Sequence, residues 1–239
     1  MQTKIDPWDK NASYRKKELK THGDKTYWEV LVPLFVDEVK RLAVNKEVID
    51  VGCGLGFLTR EISPHVRKIT GIDTSSKSIK YAQKKCTGKN IEFINTSIVD
   101  FQKKNPDSHY GVCIANMVFH NIPDLDECFD AIYKLLEKDG FLIYTIPHPA
   151  FWYDTRKFPK SKPYIYYKED EYKVPFQIRN FPPHPYLISY WHRSLEQYTK
   201  LLKKNKFIIL DELELCHDSY LQNDGKVTKD ILFRICKAI

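Results

Sequence analysis

Glycine is scarce in this chain, nine in 239 residues. Three of the nine sit at alternate positions within one short stretch, Gly52, Gly54 and Gly56. A scarce residue concentrated in one place marks a backbone that needs positive φ or a close approach. Arginine is also scarce, eight against 30 lysines. Arginine is the better fork for phosphate and base edges, so a net charge of +7 carried by lysine argues against nucleic acid as a partner. No run of apolar residues is long enough to cross a membrane. The first ten residues are polar and lack the apolar stretch of a secretory signal. The six cysteines are scattered, with no Cys-x-x-Cys pair, and no two histidines have metal-binding helical spacing. These absences lead us to expect a cytoplasmic chain with reduced thiols, no membrane contact and no bound metal.

What is present centres on residues 47–62. Glu47-Val48-Ile49-Asp50-Val51 is a short run rich in β-branched residues, and it reads as a buried strand. The three glycines follow, and Phe57 to Ile62 can open a helix. Strand, glycine turn and helix in succession form a ligand cradle. A dinucleotide fingerprint needs Gly-x-Gly-x-x-Gly, but Phe57 or Thr59 stands where the third glycine belongs. A phosphate loop needs a Gly-Lys-Ser/Thr ending, and none occurs.

The pattern that fits is Asp50-Val51-Gly52-Cys53-Gly54-Leu55-Gly56. It resembles the first motif of class I S-adenosylmethionine-dependent methyltransferases. The resemblance implies that Asp50 serves the ammonium side of the cofactor and that the glycines make room for its chain. Asp73, 17 residues past Gly56, matches the ribose-binding acid of that family, with Thr74 beside it. Ser97-Ile98 stand where many members have Asp-Ala at the adenine. Gly111 replaces an acidic residue common before the fourth strand. Asn116 and Met117 end that strand at the cofactor. The Asn-Pro-Pro-aromatic signature of nucleic-acid adenine methyltransferases is absent, although Asn116 and Phe119 match its ends.

The rest of the chain alternates strand and helix. Strands are expected at 47–51, 67–73, 90–95, 110–116, 141–146, 207–213 and 230–238. Helices are expected at 26–44, 56–63, from Ser75 to Lys85, from Asp124 to Glu137, and at 195–205. Ser75, Asp124 and Ser194 act as N-terminal caps, the last two within capping boxes. This alternation implies an α/β fold, a Rossmann-like, doubly wound parallel sheet. The resemblance implies seven strands with an antiparallel C-terminal one.

The domain plan is a cap segment at 1–25, a cofactor-binding domain at 26–148 and 193–239, and an insertion at 149–192. The insertion is 44 residues long and holds 13 aromatics. Loops of that length are uncommon unless functional. We read it as a lid over the acceptor, with short strands in runs such as Tyr164 to Lys168, or alternatively as a homodimer element. Trp152, Tyr153, Phe119 and His192 are the acceptor-contact candidates. His148 and His120, both beyond strand ends, are the candidate bases, being the residue type that titrates near neutrality. Tyr14 and Trp8 are placed over the cofactor. The expected function is methyl transfer to an N, O or C atom of a small molecule. Alternatives are an RNA or protein acceptor reached through Lys16, Lys17, Lys20 and Lys25, or a non-catalytic cofactor-binding subunit.

Overall fold

The computed structural model describes residues 6–151, 164–178, 181–215 and 231–239. Nine strands occur among them: β1 (Glu47–Val51), β2 (Lys68–Asp73), β3 (Ile91–Asn95), β4 (Tyr110–Asn116), β5 (Leu136–Pro147), β6 (Asp170–Pro175), β7 (Leu187–His192), β8 (Phe207–Leu215) and β9 (Ile231–Ala238). Seven form one sheet in the order β3-β2-β1-β4-β5-β9-β8. The strand order reverses between β1 and β4, which is where open α/β sheets bind ligands. All pairings from β3 to β5 are parallel. β9 runs antiparallel to both β5 and β8 and lies between them, so the last strand in sequence is not the edge strand.

Alternate residues of the central strands feed opposite faces. Cys113 and Ala115 of β4 join a core with Phe129 and Ile132 of α6 (Leu125–Leu135) and with Tyr198 and Leu202 of α7 (Leu195–Lys204). Val112 and Ile114 join the other core, with Phe35 and Val39 of α2 (Val32–Leu42) and Leu58 and Ile62 of α3 (Phe57–Ile62). The central parallel strands β1, β2 and β4 are buried on both faces, which explains their continuous apolar runs. No helix among the described residues is long and apolar enough to cross a membrane.

Several expectations need correction. The segment before residue 25 contains a 14-residue helix, α1 (Pro7–Lys20), opened by Asp6, whose carboxylate accepts from the Trp8 N–H. The helix expected at 26–44 changes winding: Thr26–Leu31 is π-helical and α2 begins at Val32. Pro33 has no N–H to continue the regular ladder, and the Val32 N–H reaches back to the Tyr27 carbonyl. Beyond α4 (Ser76–Lys85), the sequence reading missed α5 (Ile98–Lys104), seven residues capped by Ser97. β5 starts five residues earlier than expected, at Leu136. Ser194 and Gln197 form the complete capping box. Asp124 caps α6, while the Glu127 side chain pairs with Lys103. Tyr164 to Lys168 are not a strand. The insertion builds its hairpin instead from β6 and β7, a separate two-stranded sheet.

Candidate functional site

The glycine turn follows β1. Gly52, Gly54 and Gly56 have φ of 68°, 54° and 78°, all in the left-handed region. At Gly52 a Cβ would come within 2.5 Å of the Val118 side chain, so the turn and the exit of β4 touch there. At Gly54 a Cβ would meet nothing within 4 Å. The turn is therefore packed at Gly52 and open at Gly54. Asp50 lies beneath it, 1% exposed, and accepts a 2.6 Å hydrogen bond from Thr59 of α3. Burial pushes its carboxyl up to about 7, against the pull of the Thr59 hydroxyl, and the charge of Asp73 adds to the rise.

At the end of β2, the Asp73 carboxylate receives two backbone N–H groups, Gly54 at 2.9 Å and Ser75 at 2.7 Å. Burial raises it to about 6 despite those two bonds. The glycine turn and the β2 exit are thus joined through one carboxylate. The following turn is held from outside by α1. Thr74 donates to Asp6 at 2.7 Å, Ser75 and Ser76 donate to Asp9, and so does the Lys77 N–H at 2.9 Å. Burial pushes the Asp9 carboxyl up, but the Lys77, Ser75 and Ser76 bonds outweigh it and hold the group below the usual range.

At the end of β3, Ser97 accepts from the Asp100 N–H and donates to the Asp100 carboxylate at 2.7 Å, while Ile98 is buried. At the end of β4, the Thr145 hydroxyl donates to the Asn116 Oδ1 at 2.7 Å, and the Met117 N–H donates to the Thr145 oxygens. Met117 has φ of 59°, a conformation uncommon for a non-glycine residue. Strained backbone of this kind collects at functional sites. Phe119 is a core position, packed between Phe129 and Tyr144 with ring centroids at 5.1 and 5.0 Å.

The histidines separate. His120 stands just past β4, its Nε2 3.2 Å from the Asn121 amide and its ring 5.4 Å from Tyr190 of β7. His148, past β5, accepts from the Ala150 N–H at Nδ1 and faces Glu214 of β8 from Nε2 at 3.1 Å. It belongs to the β5–β8 end of the sheet, whereas His120 meets the hairpin. His192 is fully buried at the end of β7, and its Nε2 lies 2.8 Å from the Tyr166 carbonyl. Tyr14 is 44% exposed and stacks near His184, 5.3 Å away, on the side of α1 that meets the insertion. Trp152 and Tyr153 lie outside the described residues.

The carboxyl ends of β1 to β4 thus carry Asp50, the glycines, Asp73, Thr74, Ser97, Ile98, Asn116 and Met117 on one side of the sheet, as the strand order requires. The sequence reading missed the polar contacts that fix it. Thr59, Thr145, Asp6 and Asp9 were not singled out. Asp6-Pro7 carried a usable signal, an N-cap residue followed by proline at the first helical position. Neither did the sequence reveal that Glu18 of α1 and His184 of the insertion form a buried 2.7 Å pair, or that Asn11 donates to the Tyr186 carbonyl at 2.9 Å.

A family model described as a methyltransferase domain matches residues 49–144. The ubiquinone biosynthesis O-methyltransferase of Actinobacillus pleuropneumoniae serotype 5b is 27% identical over 146 residues, 58% of this chain and 58% of its own. The malonyl-acyl-carrier-protein O-methyltransferase of Acetivibrio thermocellus is 30% identical over 148 residues, 60% of this chain and 47% of its own. The chain therefore spans about three-fifths or less of the length of these relatives. Among solved structures, an S-adenosylmethionine-dependent methyltransferase from Clostridium acetobutylicum superposes with a TM-score of 0.64 at 14% identity, over 93% of this chain and 98% of that one. The N-methyltransferase NodS of Bradyrhizobium japonicum, solved with S-adenosyl-L-homocysteine, gives 0.56 at 14% identity, over 86% of each chain. The matched domain, the sheet order and the Asp50-to-Gly56 turn joined to Asp73 agree: residues 49–144 form a methyltransferase domain, in a chain with the fold of S-adenosylmethionine-dependent methyltransferases.

Proposed function

We propose that this chain transfers a methyl group from S-adenosylmethionine to an N, O or C atom of a small molecule. The observation that carries the reading is the open face of Gly54 beside the Asp73 carboxylate. A carboxylate has about four acceptor positions. Two on Asp73 are taken by backbone N–H groups, which leaves capacity for the two ribose hydroxyls. Gly54 leaves room for the amino-acid chain of the cofactor, and Ile98 offers an apolar flank to adenine beside the Ser97 turn. Asp50, next to the turn, balances the ammonium charge. These residue types fit the group chemically.

When bound, S-adenosylmethionine supplies an electrophilic methyl group on a sulfonium. The chain supplies position and enclosure. Asp73 and the glycine turn fix one end of the crevice. Asn116 and Met117, locked by Thr145, fix the β4 exit, where His120 meets Tyr190 of the hairpin β6–β7. Relatives named as O-methyltransferases and a neighbour named as an N-methyltransferase support a small nucleophile. An RNA or protein acceptor would have to use the exposed Lys16, Lys17, Lys20 and Lys25, since Arg15 is consumed by Glu18 and Asp24 and α1 packs on the β2–α4 turn and the insertion. The free thiols, Cys53, Cys86, Cys113, Cys128 and Cys236 among the described residues, suit a reducing compartment such as the cytoplasm.

Calorimetry with S-adenosylmethionine tests the reading. Wild type binds, and Asp73→Ala weakens binding by about tenfold or more, the loss of charge-assisted hydrogen bonds. No binding by folded wild type refutes the proposal.

A further inference from the structure

Of the four described histidines near the insertion, His192 is the one whose Nε2 is set on a backbone carbonyl. It is fully buried, and its Nε2 donates to the Tyr166 carbonyl at 2.8 Å, which fixes the proton on that nitrogen. Nδ1 is therefore a lone-pair acceptor. It is sealed from solvent and has no hydrogen-bond partner among the described residues. A buried acceptor left without a partner is uncommon in a folded protein and calls for an explanation.

Its surroundings suggest one. His192 and Tyr190 are two residues apart on β7 and share its buried face. The Tyr190 ring meets His120 at the exit of β4. Rings of Tyr164 and Tyr166 flank His192 at 4.7 and 5.9 Å. The next residue, Arg193, donates to the Ile122 and Pro123 carbonyls, which ties this end of β7 to the loop beyond β4. His192 is therefore set among aromatic rings at the end of β7 that is tied to the loop beyond β4. The other histidines are engaged differently. Both ring nitrogens of His148 are bonded, and Nε2 of His120 meets Asn121. His184 also has an unpartnered Nδ1, but it pairs with Glu18 and lies between Tyr14 and Phe176 on the α1 side.

We propose that His192 is the catalytic base of this methyltransferase, accepting through Nδ1 the proton of a hydroxyl on the acceptor. The inference rests on the methyl-transfer reading above and adds the acceptor's class: a hydroxyl carried on a flat, apolar body. The acceptor oxygen forms the new bond to the methyl carbon. The electron pair of the broken carbon–sulfur bond stays on sulfur, and the hydroxyl proton passes to Nδ1. The positive charge that leaves the sulfonium ends on the imidazole. Burial lowers the pKa of His192, while the Tyr166 carbonyl bond and the nearby Asp170 and Glu169 raise it and Arg193 lowers it. Asp170 is the residue opposite His192 across the hairpin. These surroundings thus favour the neutral base beforehand and hold carboxylates close to the imidazolium afterwards.

The test uses 15N-histidine-labelled full chain with S-adenosylhomocysteine, and phenol and anisole as probes. The His192 signals, assigned by their loss in His192→Gln, are expected to show the Nε2–H tautomer, still neutral at about pH 6.5. Phenol shifts the Nδ1 resonance and anisole does not. In turnover with a panel of phenols and catechols, His192→Gln lowers kcat/KM by about 100- to 10,000-fold. It also removes the acid limb of the pH profile and leaves cofactor affinity unchanged. Glutamine keeps a donor for the Tyr166 carbonyl and lacks the Nδ1 acceptor. An Nδ1–H tautomer, an equal response to anisole, or undiminished turnover in the variant overturns the assignment. Cofactor binding without transfer to any panel member overturns the hydroxyl class. Absence of cofactor binding instead refutes the underlying methyl-transfer reading.

Discussion

Asp50→Asn is the sharpest test of the electrostatics at the turn. Burial places the Asp50 carboxyl at about 7 in the folded chain, against 3.8 for an unperturbed group. A carboxyl raised by folding binds its proton more tightly in the native state. The stabilisation this gives is present below the unfolded value and is lost as pH rises through the folded one. A tenfold change in proton affinity is worth about 1.4 kcal/mol, so a rise from 3.8 to about 7 corresponds to about 4 kcal/mol lost above neutrality. Asparagine is nearly isosteric, stays neutral, and its Oδ1 can still accept from Thr59. Relative to wild type, the variant is expected to gain about 3 kcal/mol of stability between roughly pH 4.5 and pH 8. For a chain of this size that is a relative rise in Tm of about 6 to 12 °C. Urea unfolding without cofactor, at both pH values, measures it. Because every other titrating group is shared, the difference between the two proteins isolates Asp50. A stability gap that is the same at both pH values refutes the reasoning.

The turn glycines should respond differently. Gly52→Ala meets Val118 as well as the left-handed backbone and costs about 2 to 4 kcal/mol in urea unfolding. Gly54→Ala meets only the backbone penalty, about 1 to 2 kcal/mol, yet weakens S-adenosylmethionine binding in calorimetry, because its methyl enters the open face; unchanged affinity would exclude that face from the site. Glu18→Ala leaves Arg15 to Asp24 alone and removes the buried carboxylate facing His184, costing about 3 kcal/mol. Hydrogen exchange should then accelerate across α1 and leave β1 and β4 protected, and equal protection throughout would show that the pair does not anchor the helix.

The centre of the sheet was legible because β1, β2 and β4 are buried on both faces. β4 was placed at its observed limits, 110–116, from the run Tyr-Gly-Val-Cys-Ile-Ala-Asn alone. The insertion's strands were misplaced for the opposite reason. Aromatic density drew attention to Tyr164 to Lys168, whereas the hairpin follows alternation: Tyr172 and Val174 face inward between Glu171, Lys173 and Pro175. α5 was hidden by its length, since seven residues carry less than two turns of periodicity.

The packing of α1 was the least legible part, and its chemistry explains why. α1 does not present a clear apolar stripe; its buried residues are Asn11, Ala12, Glu18 and Leu19. It is held by polar contacts at both ends of its length. Asp6 and Asp9 grip Thr74, Ser75, Ser76 and the Lys77 N–H. Asn11 grips the Tyr186 carbonyl, and Glu18 grips His184. Each partner is more than 60 residues away in sequence, so no local pattern announces the pairing. A helix docked in this way leaves a polar signature that reads as solvated surface. The same segment that the sequence marks as a cap with a basic patch is, in three dimensions, a strap between the β2–α4 turn and the insertion. Its lysines face outward because its carboxylates and amide are committed inward.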